Sequence, residues 1–165
     1  MILLLHEKIS QIVPIHGISS NEDGSYRIDY INEPTEEQIL AVQAIIDNFP
    51  LLQAKQEKLK IIDLEWQNVE KIGWDSGLGY YLGITPNDVA LLSGGYALAK
   101  EADALGLALP KFIAMDNSTI SFNNLSEMTQ LLLRYGDARA TLASSFADRR
   151  KTIDNANSIE ELNSI

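Results

Sequence analysis

The sequence predicts an α+β fold that is predominantly helical, with two small β-hairpins and three to four helices, one or two of them long with coiled-coil-like seams. Apolar residues recur at three- and four-residue steps over much of 35–72 and 124–155. Two other stretches alternate apolar and polar residues around Asp-Gly or Asp-Asn turn signals. Proline and glycine punctuate the boundaries between them.

The opening Met1-Ile2-Leu3-Leu4-Leu5 run is cut off by His6 and Glu7. It falls far short of the roughly 20 apolar residues of a membrane span, and of a signal sequence, so it reads as a leading strand or docking arm. Over 9–31, Ile12, Val13 and Ile15 precede Gly17, and Tyr26, Ile28 and Tyr30 follow Asp23-Gly24. Residues two apart share a sheet face and Asp-Gly favours a tight turn, which predicts a hairpin ended by Pro34. Thr35-Glu36-Glu37-Gln38 has the form of a capping box, so a helix begins here with Ile39, Val42, Ile45, Ile46 and Phe49 inward. Pro50 predicts an interruption. A second helix then runs over 51–72, with Leu52, Leu59, Ile62, Trp66 and Val69 forming a seam of heptad character.

The glycine- and aromatic-rich stretch 73–83 changes the composition and is the best candidate boundary. Thr85-Pro86-Asn87-Asp88 caps a further helix that reaches Leu105 and ends at Gly106. Ser93, Gly94, Gly95, Ala97, Ala99, Ala102 and Ala104 leave this helix little bulk, so another element is expected to approach its backbone closely. A second hairpin is predicted over 111–122, around Asp116-Asn117-Ser118. A long helix follows over 124–155, with Asn124 and Glu127 as a cap pair and a seam of Met128, Leu132, Tyr135, Leu142, Phe146 and Ile153. Ser158 starts a last helical turn. Three segments result: an N-terminal hairpin docking segment (1–34), a helical hairpin or coiled-coil segment (35–72) and a helix-hairpin-helix module (73–165).

With 13 basic against 23 acidic side chains the net charge is −10, and neither half carries a compensating basic surplus. Such a chain repels polyphosphate backbones, so nucleic acid is not an expected partner, and no membrane contact is expected either. The Arg149-Arg150-Lys151 patch reads as a solvated helix face. Cysteine is absent, which removes disulfides, thiolate nucleophiles and sulfur-bound metals together. His6 and His16 stand in no metal-ligand spacing, and no Gly-x-Ser-x-Gly elbow surrounds any serine. Gly77, Gly79 and Gly83 miss the dinucleotide-binding spacing. No catalytic, cofactor-binding or metal-binding residue is assigned, and no cofactor is expected. A glycosidase needs only two carboxylates and a cleft, so Asp75 beside Trp74 and Tyr80 keeps a hydrolytic or glycan-binding reading open.

Met115-Asp116-Asn117-Ser118-Thr119-Ile120-Ser121-Phe122, the helix with Leu132 and Leu133, then Ile153-Asp154-Asn155-Ala156 and Ser158-Ile159-Glu160-Glu161-Leu162 together resemble a domain of unknown function. That domain closes phage tail-fibre and baseplate proteins with a hairpin, a long helix and a short terminal helix; the likeness covers roughly residues 112–165. Val13-Pro14-Ile15-His16-Gly17-Ile18, Asp23–Tyr30 and Thr35-Glu36-Glu37-Gln38 are similar to prophage tail-associated sequences. Ser158 stands where the first family usually has Thr, and both cap helices. The resemblance implies a virion component made in the host cytoplasm, and supplies no functional residues.

The expected function is therefore structural: a non-enzymatic tail protein, associated with the fibre or baseplate, that assembles with other tail proteins as a homo- or hetero-oligomer, a trimer being the favoured number. A tail-fibre assembly chaperone is the alternative, and a tail tip that binds or hydrolyses host-surface glycan a further one. The expected interface comprises Leu52, Leu59, Ile62, Trp66, Val69, Gly94, Gly95, Met128, Leu132, Tyr135, Leu142 and Phe146. The competing arrangement packs the 51–72 seam on the 124–155 helix of the same molecule.

Overall fold

A computed structural model describes residues 2–165; Met1, and with it the start of the predicted docking arm, lies outside the described residues. The fold is mostly helical with small antiparallel hairpins, as predicted. It holds five helices and three hairpins among the described residues, one helix and one hairpin more than expected. The chain forms two compact units, one of residues up to Leu59 with Ile153–Ile165, the other Lys60–Thr152. This division follows neither the 34/35 nor the 72/73 boundary.

In the first unit the opening segment is a helix, α1 (Ile2–Ser10), rather than a strand or arm. Leu5 and Ile9 lie one helical turn apart on one face and are both fully buried, while Leu3 is exposed, so the helix anchors itself through that face alone. The predicted hairpin forms from β1 (Ile15–Ser20) and β2 (Tyr26–Tyr30), with a register break between Ile15 and Gly17. Ile12 and Val13 are not in the strand; their N–H groups close turns onto the Ile9 carbonyl at 2.9 and 3.0 Å. At the turn Gly24 has φ +83°, a conformation costly for other residues, and the Asp23 carboxylate accepts the Ser25 N–H at 2.9 Å.

α2 (Glu36–Ile72) is one continuous helix, so the interruption expected at Pro50, and with it the helical hairpin, does not occur. Its capping box is present: Thr35 N–H donates to Gln38 Oε1 at 2.9 Å and Gln38 N–H to Thr35 Oγ1 at 3.2 Å. Proline removes a single helical donor, the one owed to the Ile46 carbonyl, and Pro50 itself is exposed. The adjacent Phe49 is buried and meets Tyr26 edge-on, with ring centroids 6.0 Å apart. Anchoring that ring offsets a local cost of about 3 kcal/mol relative to alanine. The last helix, α5 (Ile159–Asn163), is capped by Ser158, whose Oγ accepts the Glu161 N–H at 3.1 Å, and buries Leu162.

In the second unit, the stretch taken as a boundary folds into a third hairpin, β3 (Trp74–Asp75) with β4 (Tyr81–Leu82), and contributes Leu82 to the core. Its entry requires glycine: Gly73 has φ +77°, and a Cβ there would collide with Leu82 O and Met115 Sδ. α3 (Pro86–Ala104) starts with a full capping box between Thr85 and Asp88. Gly106, at φ +67°, lets the Leu107 N–H turn back to the Ala102 carbonyl at 2.8 Å. β5 (Phe112–Ile113) and β6 (Thr119–Ile120) form the hairpin predicted over 111–122. α4 (Leu125–Asn155) follows, with Asn124 Oδ1 accepting the Glu127 N–H at 3.0 Å. The reciprocal bond goes one residue further back than expected, to the Asn123 N–H at 3.0 Å. The core joins Leu82, Ile84, Leu92, Ala99, Phe112, Ile120 and Met128 from β4, the link after it, α3, β5, β6 and α4.

Candidate functional site

Three side chains on one stretch of α4 fix the third hairpin and the segment that leads from it to α3 through backbone carbonyls. Arg134 Nη2 donates to Ser76 O at 2.8 Å, Tyr135 Oη to Gly83 O at 2.8 Å and Arg139 Nε to Ile84 O at 3.1 Å. Burial raises the Tyr135 phenol above its ordinary range. Trp74 stands edge-on to Tyr135, centroids 5.6 Å apart, with the Arg134 guanidinium 5.9 Å from its ring. Trp74 is thus a packing residue, and Asp75 is a turn former whose Oδ1 accepts the Gly77 N–H at 2.8 Å.

The expected interface is largely consumed within the chain. Ile62, Met128 and Tyr135 are buried, and Val69, Leu132 and Leu142 pack half-buried against the second core. Trp66 meets Phe146 edge-on at 5.1 Å, with its indole N–H on Glu70 Oε1 at 2.8 Å. Asp63 pairs with Arg150 and Glu65 with Arg149, so α2 and α4 run antiparallel here and the 60–72 part of the seam is met by the same molecule. Those pairs also account for two residues of the basic patch. Of the two arrangements open in the sequence, the 60–72 part of the seam takes the one within the molecule; a heptad stripe carries no information on which chain covers it. Leu59 is half-buried, and Leu52 lines a shallow groove with Ile12 and Ile45.

The small-residue helix splits into two faces. A Cβ on Gly95 would stand 2.6 Å from Phe112 Cε1, so this glycine admits the close approach that the composition predicted. Gly94 faces open space, with nothing within 4 Å. Beside it runs a ridge that sequence reasoning missed: Leu91, Leu98 and Leu105, at seven-residue steps, are 66%, 66% and 72% exposed. Ile113 on the neighbouring hairpin is exposed too, and a groove of about 240 Å³ lined by Leu91, Gly95, Phe112 and Ile113 continues the apolar surface. The heptad step was visible in the sequence, but the small apolar residues around most of α3 hid which face carried it.

A second concavity, of about 380 Å³, opens between the β3–β4 turn, the end of β6 and the first turns of α4. Tyr80 and Phe122 wall it, and Glu127, Gln130 and Arg134 line its α4 side. Hydrogen bonds from Asn123 hold the Glu127 carboxyl below the usual range.

Among the described residues, no group of three or more His, Asp or Glu side chains is placed to hold a metal ion, and no helix is long and apolar enough to cross a membrane. No protein-family model, curated protein or solved structure matches the chain.

Proposed function

We propose that this chain is a structural component of a bacteriophage tail, associated with the fibre or baseplate, and that it acts by assembling with other tail proteins rather than by chemistry of its own. The observation that carries assembly is the ridge of Leu91, Leu98 and Leu105 beside the open Gly94. Leucines exposed in one continuous stripe forfeit about 1.5–3 kcal/mol each of burial that a partner would supply. The tail assignment rests on the resemblance over 112–165, and the order of β5–β6, α4 and α5 supports it. A partner of a different kind fits better than a symmetric trimer, because a net charge of −10 would be repeated in every copy. Three carboxylates held below their usual range, Asp23, Glu65 and Asp116, are engaged in turns or an ion pair. They are placed for structure, which supports a non-enzymatic role.

The test is the solution mass of the purified chain by light scattering, alone and mixed with phage tail-fibre and baseplate proteins. A complex should form in the mixture and be lost in Leu91→Glu and Leu98→Glu, whose exposed positions leave folding intact. A monomer under both conditions overturns assembly. Detection of the chain in purified virions supports a tail component, whereas a chaperone binds the same proteins and is absent from the particle.

A further inference from the structure

The cleft beside α4 has a composition that the assembly reading does not use. Its floor includes the buried Ile120 and Leu131, its walls are the half-buried rings of Tyr80 and Phe122, and its polar side is Glu127, Gln130 and Arg134. Those three stand at three- and four-residue steps, which places them along one face of α4 over about 10 Å.

We propose that this cleft binds a neutral saccharide unit. The ligand class follows from three properties of the lining. First, one carboxylate and one guanidinium balance, so the cleft offers no net charge to attract a phosphate, a sulfate or a polyamine. Second, the polar groups cover the whole hydrogen-bonding range: the carboxylate only accepts, the guanidinium only donates and the carboxamide does both. Hydroxyl groups, which donate and accept, satisfy all three. Third, the half-buried aromatic side chains of Tyr80 and Phe122 line the cleft next to that polar side, and aromatic lining of this kind suits the C–H face of a sugar ring with hydroxyls around its edge.

The charged groups are also held from behind. Arg134 is fixed by its bond to Ser76 O and by the Trp74 ring, which occupies one of five donors. Glu127 is fixed by the Asn123 backbone and side-chain N–H groups at 3.0 and 3.1 Å. Little side-chain order remains to be created on binding. A volume of about 380 Å³ falls within the range of small-ligand sites. No residue of α3 lines the cleft, so this site stands or falls separately from the leucine ridge.

The experiment is a ¹H–¹⁵N NMR titration of the full chain with the methyl glycosides of glucose, galactose and N-acetylglucosamine into the millimolar range. At least one should shift amides clustered at Gly79, Ser121 and Gln130, and Gln130→Ala should weaken that binding about tenfold, the equivalent of one good polar contact. Gln130 is exposed, so this variant keeps the wild-type spectrum elsewhere; Tyr80→Ala should abolish binding, with thermal unfolding as the check on its fold. Absence of shifts with all three glycosides overturns the proposal. So do shifts confined to α3, or a cleft that responds to inorganic phosphate or free glycine and to no glycoside.

Discussion

The indole of Trp66 stands edge-on against the ring of Phe146, with centroids 5.1 Å apart and planes at 74°. Through that contact the α2 seam meets its partner in α4, with the Asp63–Arg150 and Glu65–Arg149 pairs close by in sequence. The two rings should therefore be energetically coupled within a single chain. A double-mutant cycle of Trp66→Ala and Phe146→Ala, followed by urea unfolding, should give a coupling of about 0.5–1.5 kcal/mol. Each single change should cost about 2 kcal/mol, below the range for fully buried aromatics because both rings are half-exposed. Additive losses would mean that the rings do not meet.

Gly94 and Gly95 are neighbours in α3 with opposite surroundings, and alanine should separate them. At Gly94 the new methyl meets nothing within 4 Å, so the gain in helix propensity stabilises the chain by about 0.5–1 kcal/mol. At Gly95 it would stand 2.6 Å from Phe112 Cε1, and that ring is held edge-on to Phe122 at 5.4 Å. The propensity gain is then outweighed by overpacking of about 1–3 kcal/mol. Thermal unfolding of the two variants should move in opposite directions, and a common direction would contradict the packing of α3 on β5.

Features that depend on residues three or four apart were legible in the sequence. The Thr35–Gln38 and Thr85–Asp88 boxes and the Ser158 cap fall where the residue types require them, because capping is settled within one turn of chain. α1 was not legible: five consecutive apolar residues show no period, and the buried pair Leu5 and Ile9, four residues apart, fits a helix and a strand alike. Nor was the third hairpin: its strands are as short as β5 and β6, but its turn carries glycines in place of the Asp116-Asn117-Ser118 signal that marked the other. At the candidate site the seam residues were recognisable as covered, but the coverer was not. The lining of the saccharide cleft joins Tyr80 from the β3–β4 turn, Phe122 from the loop after β6 and Gln130 from α4, a conjunction that only the tertiary structure creates.

The hydrogen bond from Arg149 holds the Glu65 carboxyl below its ordinary value of 4.5. Because the folded state lowers this value, the contribution to stability is complete above about pH 4.5 and is lost as pH falls through the lower, folded value. Acidification also relieves the repulsion of a chain with net charge −10, so the wild-type profile alone mixes two effects. The difference between wild type and Glu65→Gln isolates the pair. That difference should be constant near neutrality and shrink towards zero in acid, and added salt should reduce it throughout, since both side chains are exposed. A difference that persists unchanged into strong acid would show that the glutamate acts through packing instead.

Pro50 gives the sharpest test of how α2 stays continuous. Its missing N–H leaves the Ile46 carbonyl without a helical donor, while the helix carries on to Ile72 and Phe49 stays buried against Tyr26. If burial of Phe49 offsets a purely local cost, Pro50→Ala restores the donor at an exposed position and removes only that cost. The unfolded chain regains some freedom on losing the ring, so the net gain should be about 1–3 kcal/mol rather than the whole helix-propensity difference. Urea unfolding measures it, and nuclear Overhauser effects between Tyr26 and Phe49 protons report whether the rings stay together. The opposite result, a less stable chain in which the two rings have moved apart, would mean that the proline sets the direction of α2 needed to seat Phe49, and that its place in the helix is a requirement of the first core.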